Sequence, residues 1–445
     1  MTVTETKEPT VKEKEMYYAQ RLAEMIRCRT VSKKDSFAPA EFMKLRAVIE
    51  TLFPLVNEKA ERTILGDDAY LYQLPGKDTS RNVMVMSHHD VVDATGNWQE
   101  DAFGGVIRDG VLWGRGTVDT KTPLFAELSA MEELLAEGFE FHVNVWLFSS
   151  HNEETGGDGA VRALEYFKAH GIRFDWISDE GGAVIEPPMA GVRKKCAMMA
   201  IHEKGRCTAE LTAKKPQGHA SLAGAPRTPV MNMAAFLAEA DEKKPFLRRL
   251  HPEVRGMFEA LAPHMTFPMR FVFSNLWLFS GLLIRLIPKL NAAAGEMLGT
   301  GCTFRKLSTD EDGTCHAEAF LRCIRADDLD RELDALRALA EAHGVELTVR
   351  ENEAYTPTAL TSPGYAYVRK IVGKTFPYAA AAPFILPAGT DARRFTELSD
   401  AVIRFAPIDI NAQQYASVHG ENENICIDKL PLAVAFYKEL LRNYK

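Results

Sequence analysis

Val83-Met84-Val85-Met86-Ser87-His88-His89-Asp90 is an apolar run that ends abruptly in a cluster of polar side chains. A short apolar run followed by polar residues is typical of a central β-strand. The same change recurs after residues 143–149, where the chain reads His151-Asn152-Glu153-Glu154. Because the carboxyl ends of parallel strands meet at one edge of a sheet, ligands bind there. The sequence therefore predicts an α/β fold with a polar site at that edge.

Helical segments separate the predicted strands. Apolar residues at 124, 128, 131 and 135 recur at helical spacing, and Gly138 follows them as a helix C-cap. A further helix is predicted at residues 160–170 and a third strand at 174–178. Strands that alternate with helices favour a sheet that is covered by helices.

The pattern changes at about residue 196. Strand-like runs, a helix and a long apolar stretch then follow one another until about residue 352, where the α/β pattern returns. A chain of 445 residues exceeds what one hydrophobic core usually organises. We therefore predict a larger domain formed by residues 1–195 and 353–445, interrupted by an inserted α+β domain at residues 196–352.

Composition excludes several classes of partner. A net charge of −8 and the lack of a long basic run argue against nucleic acid and favour a small molecule. The first fifteen residues show no secretory pattern, so we expect a cytoplasmic location. The seven cysteines form no C-x-x-C pair, so we expect reduced thiols and neither disulfides nor a thiolate metal site.

The most apolar segment comprises residues 271–290. Polar and charged residues, among them Asn275 and Arg285, interrupt it, and the apolar run is too short to span a bilayer. We predict a buried or interface helix there and no membrane partner.

Three further polar clusters accompany the two described above. A glycine-rich turn at residues 113–121 carries Asp119, and Asp179 and Glu180 follow the third predicted strand. His419 lies late in the chain, between Tyr415 and Glu423. Any one cluster would also fit a solvated loop. Together they supply two histidines and several carboxylates, a ligand set that suits zinc, and a nearby cation would make the adjacent acids Glu153 and Glu154 tolerable.

In order along the chain, these motifs resemble those of the zinc exopeptidases and aminoacylases, and most closely the carboxypeptidase S and N-fatty-acyl-amino-acid hydrolase branch. The motifs that carry the resemblance are Arg29-Thr30-Val31-Ser32, His88-His89-Asp90-Val91-Val92, residues 114–121, Glu153-Glu154-Thr155-Gly156-Gly157, Gly218-His219-Ala220-Ser221, Gly389-Thr390-Asp391-Ala392-Arg393 and His419. The branch is indicated by Asp179-Glu180-Gly181-Gly182, Glu203-Lys204-Gly205, Asn275-Leu276-Trp277 and Arg404-Phe405-Ala406-Pro407.

The resemblance implies a catalytic domain with a central mixed sheet flanked by helices, and an inserted domain that acts as lid and dimerisation unit. It also implies roles for individual residues. Two zinc ions, or cobalt or manganese, would be held by His88, Asp119, Glu154, Asp179 and His419, with Asp119 bridging. Glu153 would be the general base, Asp90 would orient His88, and His219 would contact the substrate carbonyl. Arg393, with Gly389 and Thr390, would bind the substrate carboxylate.

Two positions depart from the family's pattern. Asp93 replaces the proline usual after this histidine motif, and Phe320-Leu321-Arg322 lacks the asparagine that often precedes the lid arginine by two residues. The second departure leaves open whether Arg322 binds substrate or pairs on its strand.

The expected function is hydrolysis of an amide bond beside a free carboxylate, in an N-acyl amino acid or a short peptide, by a homodimer. A dipeptidase of the same family and a non-catalytic metal-binding relative are the alternatives. The second is disfavoured by Glu153, for which a receptor has no use. A phosphoesterase is disfavoured because the chain lacks a His-x-His-x-Asp-His run.

Overall fold

The structure is a computed structural model that describes residues 10–34, 37–214, 227–290, 292–353 and 355–445. The strands within these ranges are β1 (Glu61–Leu65), β2 (Ala69–Leu74), β3 (Asp78–Met86), β4 (Val106–Arg108), β5 (Val111–Trp113), β6 (Val143–Ser149), β7 (Ile177–Asp179), β8 (Val184–Ile185), β9 (Cys196–Glu203), β10 (Gly205–Ala213), β11 (Gly301–Thr309), β12 (Cys315–Cys323), β13 (Glu346–Glu353), β14 (Ala380–Leu386), β15 (Val402–Arg404) and β16 (Asn424–Cys426).

The α-helices within the same ranges are α1 (Val11–Ile26), α2 (Pro39–Leu52), α3 (Pro54–Lys59), α4 (Lys121–Ala136), α5 (Gly159–Ala169), α6 (Pro229–Lys243), α7 (Pro252–Leu261), α8 (Phe267–Ser274), α9 (Leu276–Leu290), α10 (Ala292–Gly295), α11 (Ala326–Ala342), α12 (Pro363–Thr375), α13 (Ala412–Ala416) and α14 (Leu430–Arg442).

A mixed nine-stranded sheet forms the centre of the molecule. Its order is β1-β2-β6-β3-β7-β15-β9-β14, with β8 beside β9. Strands β3, β6 and β7 are parallel, and all seven residues of β6 are buried, as expected of a strand with helices on both faces. Helices α1, α4, α12 and α14 pack on one face and α5 on the other. The predicted α/β domain with a mixed sheet is confirmed.

A separate four-stranded antiparallel sheet has the order β11-β12-β10-β13. Alternate residues of β10 and β12 are buried, because one face of this sheet packs against α6 and α11. This is the inserted α+β unit. The change of sheet differs from the predicted boundary at residue 196, since β9 belongs to the large sheet and only β10 enters the small one. Only Lys204 separates β9 from β10, so the sequence shows no sign of this crossover.

Part of the insertion packs against the large sheet instead. Helices α7, α8 and α9 share a hydrophobic cluster with residues of β9 and β14. The single buried or interface helix predicted at residues 271–290 is a pair of helices, α8 and α9, and a large part of its apolar surface is exposed. Among the described residues, no single helix has the length and apolar character to cross a membrane. The bent pair Phe267–Ser274 and Leu276–Lys289, at 106°, meets that criterion by length and composition together.

Candidate metal centre and active site

His88 lies directly after β3, at the carboxyl edge of the large sheet. Its side chain is only 2% exposed. The ring nitrogen Nδ1 lies 3.0 Å from the carbonyl oxygen of Asp90, which favours a proton on Nδ1 and turns Nε2 toward Asp119. Nε2 lies 3.0 Å from Asp119 Oδ1. Strand β3 thus delivers one oriented imidazole to the site.

Asp119 lies between two histidines. While its Oδ1 faces His88, its Oδ2 lies 3.0 Å from Nε2 of His419. Both imidazoles lower the pKa of Asp119 against the effect of burial, so the carboxylate is ionised. The peptide bond between Asp119 and Thr120 is cis. One carboxylate that presents each oxygen to a different histidine has the arrangement of a bridging ligand.

The loop that carries Asp119 is held by Glu423, a residue that the sequence analysis did not assign. Glu423 is fully buried, and its Oε1 accepts hydrogen bonds from the N–H groups of Val118 (2.7 Å) and Asp119 (3.0 Å). The N–H of Gly116 and the guanidinium of Arg115 also donate to it. Because Glu423 follows His419 by four residues, it ties the histidine segment to the Asp119 loop. An acid close to a ligand in sequence was the only available signal.

His419 and Glu154 complete the second half of the cluster. His419 Nε2 lies 3.0 Å from Glu154 Oε2, and the side chain of His419 is 54% exposed. Hydrogen bonds with Asp119 and Glu154 raise the pKa of His419 to about 10. Its φ of +58° lies in the left-handed region, which is uncommon for a residue with a Cβ and occurs preferentially at functional sites.

Asp90 contacts His88 as predicted and has a second task. Its Oδ1 lies 3.3 Å from Nδ1 of His88. The same carboxylate accepts hydrogen bonds from the backbone N–H groups of Glu153 (3.2 Å) and Glu154 (3.1 Å) and from the hydroxyl of Ser32 (2.6 Å). Asp90 therefore fixes both the imidazole after β3 and the two acids after β6.

The acid after β7 that joins the cluster differs from the prediction. Ligand atoms of His88, Asp119 and Glu180 lie within 4.8 Å of one another, as do those of Asp119, Glu154 and His419. Asp179, the predicted ligand, is absent from both groups and accepts a hydrogen bond from the N–H of Ala392. Successive side chains of a strand point to opposite faces, so the residue at which the strand ends determines which of two adjacent acids faces the site. The sequence alone does not show this position.

Glu153 lies beside the cluster but belongs to neither group of three. Burial raises its pKa well above the ordinary value of a glutamic acid, and the charges of Asp391 and Asp90 add to the effect, which His88 only partly offsets. A carboxyl group whose pKa is raised binds a proton more readily than an ordinary glutamate and is suited to accept and return one.

The acidic charge of this region indicates that a cation belongs there. Burial and mutual repulsion raise the pKa of Glu154, of Glu180 and, to about 7, of Asp179. The two histidines are the nearest cationic groups to Asp119. Two divalent ions held through histidine nitrogen and carboxylate oxygen would offset this repulsion. The donor set and its spacing fit a two-metal centre.

Arg393 lies near Glu153 in a buried position, 7% exposed. Its Nη1 donates to the carbonyl of Thr390 at 2.8 Å, whereas its buried Nε has no hydrogen-bond partner among the described residues. Asp391 influences the charge of Arg393, but within the described residues the two side chains form no ion pair. The guanidinium therefore retains donors for a further anion.

Thr390 and Gly389 contact other residues of the protein, Glu203 and Arg393. Glu203 accepts hydrogen bonds from both the N–H and the hydroxyl of Thr390, each at 2.9 Å. A Cβ at Gly389 would lie 2.9 Å from Nη1 of Arg393, so the glycine permits close approach of that guanidinium. Both residues thus shape the surroundings of Arg393, and their contact with substrate stays a prediction.

Two residues of the inserted unit complete the predicted set. Arg322 donates to the carbonyl of Pro387 at 2.6 Å, which links the small sheet to the loop of Arg393. His219 lies outside the described residues.

Comparison with known proteins places this geometry in a family. The model for Peptidase family M20/M25/M40 matches residues 84–443. The chain belongs to this family. It is 29% identical over 450 residues to "Probable carboxypeptidase S-like 2" of Dictyostelium discoideum, covering 96% of this chain and 84% of that protein. It is also 29% identical to an N-fatty-acyl-amino acid synthase/hydrolase of Xenopus tropicalis, covering 89% and 79% of the two chains.

Solved structures of M20 proteins share the fold. The M20 family metallo-carboxypeptidase Sso-CP2 of Sulfolobus solfataricus superposes with a TM-score of 0.62 at 18% identity, covering 96% of this chain and 98% of that one. A dinuclear metal-binding M20 peptidase of Bacillus subtilis gives a TM-score of 0.57 at 10% identity, covering 96% and 98%. The family thus includes dinuclear metal peptidases. The present chain is a member of this family of metallohydrolases, as its motifs indicated.

Proposed function

We propose that this M20 member is a two-metal hydrolase that cuts the amide bond of N-acyl amino acids beside their free carboxylate. The observation that carries the proposal is the position of Asp119, whose two oxygens face two histidines that each have a further acid nearby. His88 and Glu180 would hold one metal, Glu154 and His419 the other, and Asp119 would bridge them.

The residues around this centre would have different roles in the reaction. Bound metals would supply a water that ionises near neutral pH and a Lewis acid for the scissile carbonyl. Glu153, which is outside both groups of ligands, would take the proton of that water and return it to the leaving nitrogen. Asp90 keeps the backbone of Glu153 in place while orienting His88. Glu153 and Glu154, although adjacent in sequence, would thus act as the general base and as a metal ligand.

The buried guanidinium of Arg393 supports an anionic substrate. The acids that most strongly influence its charge are Glu203, Asp391 and Glu153, and its Nε is free of hydrogen bonds to described residues. A substrate that offers its carboxylate to Arg393 and its carbonyl to the metals would be cut next to a free C-terminus. Similarity to the fatty-acyl-amino acid enzyme favours a hydrophobic acyl group on the other side of the bond.

The deciding experiment compares an N-acyl amino acid with its carboxamide. A buried, unpaired arginine costs on the order of 2–5 kcal/mol, so the amide should react with a kcat/KM at least about thirtyfold lower. Arg393→Gln should remove most of this preference. Arg394→Gln is the matched control, because Arg394 pairs with Glu353. Equal rates on acid and amide in the wild-type enzyme would exclude this role of Arg393.

Metal dependence tests the centre separately from the substrate. Chelation should abolish hydrolysis, and zinc, cobalt or manganese should restore it. Full activity in a metal-stripped sample would contradict the proposal. A panel that includes dipeptides distinguishes a dipeptidase from an N-acyl-amino-acid hydrolase.

A homodimer through the inserted domain is also part of the proposal. The outer strands β11 and β13 of the small sheet carry the exposed residues Leu307 and Val349, and α6 exposes Val230 and Met231. Such open edges and apolar positions suit a symmetric contact. A monomer by light scattering at working concentration would refute this contact.

A further inference from the structure

The exposed apolar residues of this protein are concentrated on α8 and α9. Among the described residues, seventeen large apolar side chains are exposed, and six of them lie on this helix pair. They are Phe267, Phe271, Trp277, Leu278, Leu282 and Leu286. Trp277 is 75% exposed and Leu278 is 58% exposed, so these side chains lie on the surface and are not part of a loosely packed core. A patch of this kind on a protein surface marks an interaction site.

The inner faces of α8 and α9 pack against the rest of the protein. Phe273, Leu276 and Leu283 point into the cluster that α7 shares with β9 and β14. The bend of 106° between the helices makes a corner, at which Phe271 packs against Phe279 with ring centroids 5.8 Å apart. The exposed side chains therefore project from a fixed corner of the fold.

This corner is separate from the surface proposed for the dimer. The small sheet and its helices α6 and α11 form their own cluster, to which no residue of α8 or α9 contributes. The open strand edges belong to that cluster, whereas α8 and α9 rest on the large sheet. Dimerisation through the small sheet would not by itself cover this corner.

The charge around the corner favours a negatively charged partner. Residues 267–290 contain Arg270, Arg285 and Lys289 and no acid, in a chain whose net charge is −8. All three basic residues are exposed, and none forms an ion pair with a described residue. Arg285 and Lys289 share the exposed side of α9 with Leu278 and Leu282, at helical spacing.

We propose that α8 and α9 dock this protein on an anionic lipid surface. Trp, Phe and Leu at an apolar corner, bordered by Arg and Lys, form the pattern of an interfacial helix that inserts shallowly between lipid headgroups. The apolar residues would enter the acyl boundary while the basic ones contact lipid phosphates. The partner differs from the sequence-based expectation of no membrane partner, because that expectation considered only a spanning helix.

Binding to vesicles tests the proposal without substrate or metal. The full chain should co-float with vesicles of phosphatidylcholine containing phosphatidylglycerol, and less with pure phosphatidylcholine. Arg270→Gln/Arg285→Gln/Lys289→Gln should weaken binding to the anionic vesicles on the order of a hundredfold at low salt, since each basic residue near the surface contributes about fivefold. High salt should have the same effect.

Apolar contacts are tested by a matched pair of variants. Leu278→Ser/Leu282→Ser should lose binding, whereas Val11→Ser/Met43→Ser, which removes two exposed apolar residues from α1 and α2, should retain it. Lipids brominated in the acyl chain should quench the fluorescence of the wild-type protein more strongly than that of Trp277→Phe. Thermal melts of each variant check that the fold is intact.

A second copy of the chain is the competing occupant of the corner. In that case vesicles would not bind, and Leu278→Ser/Leu282→Ser would shift the protein toward monomer by light scattering. That result would overturn the proposal, as would equal binding to anionic and neutral vesicles. Hydrolysis in detergent-free solution could persist in either case, so the outcome is independent of the proposed activity.

Discussion

The two halves of the proposed metal centre share Asp119 but are built differently. His88 follows a central strand, has a 2% exposed side chain and has its second ring nitrogen 3.0 Å from the Asp90 carbonyl. His419 lies on a turn with a left-handed φ of +58° and is 54% exposed. One half is set by the core of the sheet, and the other depends on a surface segment. We therefore expect the two metals to differ in affinity and exchange rate.

The largest effect on turnover should come from changing Glu153, which is a ligand in neither half of the centre. Glu153→Gln removes the proton acceptor and should lower kcat by roughly a hundredfold or more while two metals remain bound. Glu154→Gln should instead reduce metal occupancy at the His419 half. Metal analysis alongside turnover checks both variants. If both lost metal to the same extent, the division into base and ligand would be wrong.

Removing each histidine should separate the halves. His419→Ala should leave one tightly bound metal, because His88, Asp119 and Glu180 are untouched. His88→Ala should weaken that buried metal and also leave a cavity at the end of β3. Titration with zinc and a competing chelator measures both affinities. Identical stoichiometry in the two variants would remove the expected asymmetry.

Glu423→Gln should affect both halves together. The amide replaces a carboxylate that accepts hydrogen bonds from the backbone N–H groups of Gly116, Val118 and Asp119, and an unsatisfied buried donor costs about 1–3 kcal/mol. Since the loop carries the shared ligand Asp119, both metal affinities should fall in parallel. Glu421→Gln, close by in sequence, is the control. Loss of only one metal would show that the loop does not move as a unit.

The smallest effect concerns pH in the metal-free protein. The pKa of His419 is raised to about 10 in the folded state, from about 6.5 when unfolded. Its stabilising contribution is therefore complete below pH 6.5 and is lost as pH rises through 10. The melting temperature of chelated wild-type protein should decline more between pH 7 and 10 than that of His419→Gln. Parallel curves would contradict the ion pairs of His419.

The sequence predicted the parts of the fold that depend on local pattern. Strand β6 was placed at the observed residues because its apolar run is bounded by polar turns. The crossover from β9 to β10 was missed, since two strands separated by a single residue give no signal of which sheet each joins. The break between α8 and α9 was also missed, although Asn275 lies at that position.

In the candidate site, too, the sequence predicted some features and missed others. His88, Asp119, Glu154 and His419 come together in the structure. His88 and Glu154 follow predicted strand ends and Asp119 lies in a glycine-rich turn, whereas His419 was assigned from the motif resemblance alone. Side-chain direction could not be predicted, so Asp179 was chosen where Glu180 faces the cluster. Glu203 and Glu423 were not assigned roles because their partners, which are backbone N–H groups and side chains distant in the chain, are not visible in a sequence.

The contact between Glu423 and the Asp119 loop spans 304 residues of the chain. A ribosome therefore has to deliver both the insertion and the return to the large sheet before this loop can be fixed. Until then, a nascent chain would carry His88, Asp119 and the acids after β6 without the segment that closes the second half. Contacts so distant in sequence form late in folding. Acquisition of the second metal would thus wait for synthesis of the segment that contains His419 and Glu423.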